Sequence, residues 1–60
     1  MRLRDALKLH NEDEVTVKRT DTVLRVVRAE PIPKEFTKNN KPCVDVLLED
    51  GNWYEHREIK

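Results

Sequence analysis

Asp50-Gly51 holds the only glycine in a chain of 60 residues, and it separates two segments that read as strands. Glycine enters positive φ without the steric cost other residues meet, so a two-residue hairpin loop is expected at this point. Before it, Val44, Val46 and Leu48 fall on one face, with Asp45 and Glu49 on the other. After it, Trp53 and Tyr54 point to opposite faces, so one is expected in the core and the other at the surface. The stretch 42–59 therefore dictates a hairpin, and the rest of the chain has to pack against it.

The remaining segments supply two further strands. Glu14 to Lys18 alternates, with Val15 and Val17 inward and Thr16 and Lys18 outward. Arg19-Thr-Asp-Thr is a polar turn without glycine. Thr22 to Glu30 is a longer strand whose apolar residues change parity between Leu24/Val26 and Val27/Ala29. A bulge or sharp bend near Val26-Val27 accounts for that change. Residues 31–41 read as a long loop, because two prolines oppose a central strand there and Asn39-Asn40 suits a turn. At the N-terminus, Leu3, Ala6 and Leu7 recur at helical spacing over residues 2–10. So short a helix has to dock its apolar side on the sheet. Ile59 is expected to pack on the rim after a 3₁₀ turn.

These elements make one mainly β domain over residues 1–60. The architecture expected is a small SH3-like antiparallel barrel of four to five strands with a short N-terminal helix. The helix is placed at 2–10 and the strands at about 14–19, 22–30, 43–49 and 52–57. Sixty residues leave no room for a second core. Hydrophobic residues make up 37% of the chain, and valine and leucine supply more than half of them, which favours a strand-built core over disorder.

The segments Asp13-Glu-Val-Thr-Val-Lys-Arg and Val46-Leu-Leu-Glu-Asp-Gly-Asn-Trp-Tyr resemble the first strand and closing hairpin of SH3-like barrels of the Tudor and KOW type. The Tudor likeness implies recognition of a methylated side chain by an aromatic cage. This chain offers Phe36, Trp53 and Tyr54 for that role. The KOW likeness implies a role beside nucleic acid or its machinery. KOW domains carry glycines at the first turn, where this chain has Arg19-Thr-Asp-Thr. The whole chain also resembles short proteins of bacterial phages and mobile elements, a likeness that implies no particular activity.

Charge leaves two binding classes open. Twelve basic and twelve acidic residues cancel, which opposes a strongly electrostatic nucleic-acid binder. Locally, Lys18, Arg19, Arg25, Arg28, Lys34, Lys38 and Lys41 outnumber the acids of residues 15–41 by four, whereas residues 42–60 carry a surplus of three acids. Those cations could track a phosphate backbone, or they could be spent on cross-strand ion pairs between the two hairpins. The aromatics divide in the same way. Phe36, Trp53 and Tyr54 could frame a groove for a peptide or stacked bases, or Trp53 could join the core with Phe36 folded over it.

Catalysis and metal binding are not expected. Cys43 opens a strand with no oxyanion-hole glycines beside it and reads as a buried thiol rather than a nucleophile paired with His56. His10 and His56 match no metal-ligand spacing, and no cofactor motif is present. One cysteine forms no internal disulfide, and no apolar run spans a membrane, so a cytoplasmic protein is expected. The expected function is a non-catalytic binding module that takes a peptide or protein partner through the aromatic groove, as a monomer or weak homodimer. A nucleic-acid-binding accessory domain is the alternative.

Overall fold

A computed structural model describes all 60 residues. The chain runs through helix α1 (Leu3–Ala6) and strands β1 (Glu14–Val17), β2 (Thr22–Ile32), β3 (Cys43–Leu48) and β4 (Trp53–Glu55). Single 3₁₀ turns occupy Lys34–Phe36 and His56–Glu58. The four strands form one antiparallel sheet in the order β1-β2-β3-β4.

β3 is the middle of the core. Val44, Val46 and Leu48 are 1%, 0% and 0% exposed, as their spacing predicts. Val15 and Val17 of β1, Val26 of β2, Ala6 and Ile59 complete the cluster. After the second 3₁₀ turn the chain returns to β1. Val17 and Ile59 form an antiparallel bridge, the Lys18 N–H donates to the Glu58 carbonyl at 2.9 Å and the Lys60 N–H donates to the Thr16 carbonyl at 2.9 Å.

β2 slips register between Val26 and Arg28, where the parity of its apolar residues changes. It also continues through Pro31 and Ile32, opposite Val44 and Cys43, where the sequence reads as loop. Pro31 does not stop it because β1 covers β2 only from Thr22 to Arg25, so this end of β2 is an edge; the strand ends at Ile32, before Pro33. The N–H of Val44 points to His56 after β4 and that of Leu48 to Asn52 before it, so Cys43, Asp45 and Leu47 are the residues that bond β2. Pro31 thus turns its missing donor to the open edge.

Three further boundaries differ from the sequence reading. α1 is a single turn over Leu3–Ala6 rather than a helix over 2–10. Its bonds tighten from Leu7 N–H to Leu3 C=O into Lys8 N–H to Asp5 C=O, and no side chain caps its start. Leu7 is therefore left 56% exposed, and Leu3 and Leu9 pack on the core in its place. β1 ends at Val17 because Lys18–Asp21 form the turn, with Asp21 at φ 55 taking the left-handed position. The β3–β4 loop has three residues, not two. Gly51 N–H bonds the Leu48 carbonyl at 2.9 Å, Leu48 N–H bonds the Asn52 carbonyl at 3.1 Å, and only Gly51 of the pair has positive φ. That is a turn followed by a glycine bulge, stabilised by the Asp50 carboxylate accepting the Asn52 N–H at 3.0 Å.

Candidate functional site

The face of β2, β3 and β4 turned away from the core carries side chains in rows set by register. Arg28, Leu47 and Trp53 form one row, Glu30, Asp45 and Glu55 the next, and Ile32 and Cys43 a third. Neighbours within a row are about 5 Å apart, and Leu47 lies about 13 Å along β3 from Cys43.

The middle row sets three carboxylates side by side. Glu30 is paired with Arg28 at 2.7 Å and Glu55 with Arg57 at 3.1 Å. Asp45, half-buried between them, has no cation within 4.0 Å and only the Cys43 thiol at 3.8 Å. Each end of the face carries an exposed aromatic ring. Trp53, 49% exposed, stands beside Leu47 at one end. At the other, a groove of about 370 Å³ runs between the sheet and the 33–42 loop, with Ile32 and Cys43 among its apolar lining and Phe36 on its wall.

The loop that carries Phe36 is held by Thr37. Its Oγ1 lies 2.8 Å from the Lys41 carbonyl and 3.0 Å from the Lys34 carbonyl, and it accepts the Lys41 N–H at 3.1 Å. Asn40 at φ 57 makes the return turn in the Asn39-Asn40 pair. Phe36 is 80% exposed, so it does not fold back to cap a buried tryptophan.

The three aromatics do not share one groove. Tyr54, not Trp53, is the inward member of its pair and packs against the core. Its hydroxyl donates to the Asp50 carboxylate at 2.7 Å, which pushes the tyrosine pKa up and holds that of Asp50 down. Phe36 and Trp53 occupy opposite ends of the outer face.

The seven cations singled out in the sequence also separate. All are exposed. Lys18 and Arg19 lie at the start of β2 and Lys34, Lys38 and Lys41 beyond its end, while Arg25 and Arg28 sit on the strand between. Of these only Arg28 has a carboxylate partner, and it lies on the same strand. Pairing between the two hairpins reduces to Lys60 with Asp21 at 2.6 Å. Arg57 was not singled out, yet it borders the Phe36 groove and a second cleft beside Lys18 and Arg19. Leu47 was missed as well. An apolar residue at the outward parity of Val46-Leu47-Leu48 was the available signal.

Cys43 is buried, and burial together with Glu55 and Asp45 pushes its thiol pKa up, away from a nucleophile's requirement. Burial, Arg57 and the Met1 ammonium lower the pKa of His56, whose Nδ1 accepts the Val44 N–H at 3.3 Å. No three His, Cys, Asp or Glu side chains converge as metal ligands, and no helix is long and apolar enough to cross a membrane. Comparison with protein-family models, with curated proteins and with solved structures finds no match.

Proposed function

We propose that this chain is a non-catalytic protein-interaction module whose outer sheet face receives an extended segment of a partner protein. The exposure of Trp53 and Phe36 carries this reading. A chain with nine buried residues and three aromatics keeps two of those aromatics in water. Burying one large apolar side chain stabilises by about 1.5–3 kcal/mol, a large share of what so small a core provides. Leaving both outside makes sense where a partner covers them.

The arrangement also defines the partner's chemistry. An extended segment about four residues long spans Trp53 and Leu47 at one end and the Phe36 groove at the other. Between them Asp45 offers a carboxylate without a cation, so the partner segment carries apolar residues flanking a basic one. The return of residues 58–60 onto β1 supports an SH3-like barrel as the framework. Burial raises the thiol pKa of Cys43, which suits a packed core residue rather than a nucleophile, and a single unpaired cysteine suits the reducing cytoplasm.

A nucleic-acid reading has one specific observation in its favour. Lys34, Lys38 and Lys41 flank exposed Phe36 and have no carboxylate partner, an arrangement suited to phosphate contact beside a stacked base. An amide-shift titration with short oligonucleotides at low salt separates the readings. The protein reading expects no saturating shifts. Shifts that saturate on residues 34–41 and vanish as salt rises would replace it. A photo-crosslinker placed at Trp53 is expected to capture one discrete host protein, with capture lost in Asp45→Lys.

A further inference from the structure

The outer face leaves one cleft unexplained. Val17, Lys18 and Arg19 of the first hairpin meet Tyr54, Arg57 and Glu58 around a concavity of about 310 Å³. The acids around it are already engaged. Glu58 accepts the Glu55 N–H at 2.8 Å in a capping box, and Asp21 at the foot of the turn is held by Lys60 at 2.6 Å. Asp50 accepts the Tyr54 hydroxyl at 2.7 Å, and Glu55 meets the Nε of Arg57 at 3.1 Å. Lys18 and Arg19 have no carboxylate within 4.0 Å.

The lining holds Lys18, Arg19 and Arg57 against Glu58, and because Arg57 is paired with Glu55 the cations left without a carboxylate are Lys18 and Arg19. The guanidinium of Arg57 keeps donors free after its Nε is spent, and that of Arg19 keeps its whole fork. The cluster is also compact, with only Arg25 and the Glu30-paired Arg28 between it and the far end of β2. The next group of unpaired lysines, Lys34, Lys38 and Lys41, lies beyond the far end of β2. A nucleic-acid backbone needs a continuous track of cations, whereas a single phosphate group needs one cleft.

We propose that this cleft binds a phosphomonoester dianion, held by Lys18, Arg19 and Arg57 with the ring of Tyr54 as its wall. The site shares Arg57 with the Phe36 groove but uses none of Trp53, Phe36 and Asp45, on which the outer-face reading rests. The ligand is a small phosphorylated molecule or a phosphorylated side chain, and both present the same group to the cleft.

The test is an amide-shift titration of isotope-labelled protein with phenyl phosphate, repeated with a phosphoserine peptide and a short single-stranded oligonucleotide. The expected result is saturable shifts centred on residues 17–19 and 54–58. Arg19→Ser is expected to weaken binding about tenfold, from loss of a charge-assisted hydrogen bond, while Lys38→Ser leaves it unchanged. Both side chains are exposed, so both variants are expected to keep the wild-type amide spectrum. A peptide that binds more tightly than phenyl phosphate assigns a phosphorylated protein segment, and equal affinity assigns a small molecule. Shifts that fail to saturate, or Arg19→Ser binding as the parent does, would overturn the proposal. So would an oligonucleotide that binds most tightly and shifts Lys34, Lys38 and Lys41 together with the cleft.

Discussion

Nδ1 of His56 accepts the backbone N–H of Val44 at 3.3 Å and so ties the turn after β4 to the central strand. The bond needs a neutral imidazole, because a protonated ring has no acceptor. Burial, and then the charges of Arg57 and the Met1 ammonium, hold the pKa below the ordinary 6.5. The unfolded chain therefore takes up this proton more readily than the folded one. The contribution of His56 is whole above about pH 6.5 and is lost as pH falls through the folded value. The carboxylates of Asp21 and Asp50, held below 3.8, are lost only at lower pH. Urea unfolding at pH 7.5 and at pH 5 is expected to show lower stability at pH 5. His56→Ala is expected to cost about 1–3 kcal/mol at pH 7.5 by stranding the Val44 N–H, and to flatten that difference.

Ile59 is fully buried and bridges Val17, so it fills the core and joins the C-terminal residues to β1. Ile59→Ala is expected to cost about 2–5 kcal/mol through lost burial and the cavity left behind. That approaches the whole stability of a chain this size. Thermal unfolding by circular dichroism should show a large drop in melting temperature or no folded baseline.

Gly51 sits at φ +83 with open space around the position of a Cβ. Any penalty for a side chain there is conformational rather than steric contact with neighbours. Gly51→Ala is expected to cost about 1–2 kcal/mol in chemical denaturation, and Gly51→Asn less, because asparagine tolerates the left-handed region.

Trp53 and Phe36 are expected to contribute little to stability despite their size. Phe36→Ser should change unfolding free energy by about 0.5 kcal/mol or less, the usual range for exposed positions, and Trp53→Ser by about 1 kcal/mol, because half of its ring is covered beside Leu47. Acrylamide should quench the emission of Trp53 strongly in the free protein. A loss of several kcal/mol on Trp53→Ser would show that the ring belongs to the core.

Where alternation was clean, the sequence carried the structure. Val44, Val46 and Leu48, and Val15 and Val17, reported their faces, because strand geometry maps a period of two directly onto burial. The parity change at Val26-Val27 located the bulge, but Val27 itself is left 46% exposed and only Ala29 turns to the core. Elements decided by tertiary context were less legible. Pro31 and Ile32 became strand because β1 stops short of them, which no local pattern states. The helical spacing of Leu3, Ala6 and Leu7 persisted for one turn only, since two turns lack the length to sustain themselves. At the candidate site, Trp53 and Tyr54 were known to face opposite ways, but which faced inward depended on the hairpin loop. A loop of three residues rather than two shifts the pairing that sets it. Asp45 reads in the sequence only as an outward residue and Arg57 only as one charge among many, because their importance lies in the partners their neighbours have taken.

The central claim, that the outer face binds an extended partner segment, is tested most directly by selecting displayed random peptides on the protein. Binding is then measured through the emission of Trp53, the only tryptophan. Selected sequences should converge on a basic residue between apolar ones, shift Trp53 emission to the blue, and lose affinity about tenfold or more in Phe36→Ser and Asp45→Lys. No convergence, or peptides that leave Trp53 emission unchanged and bind both variants as they bind the parent, would contradict the account.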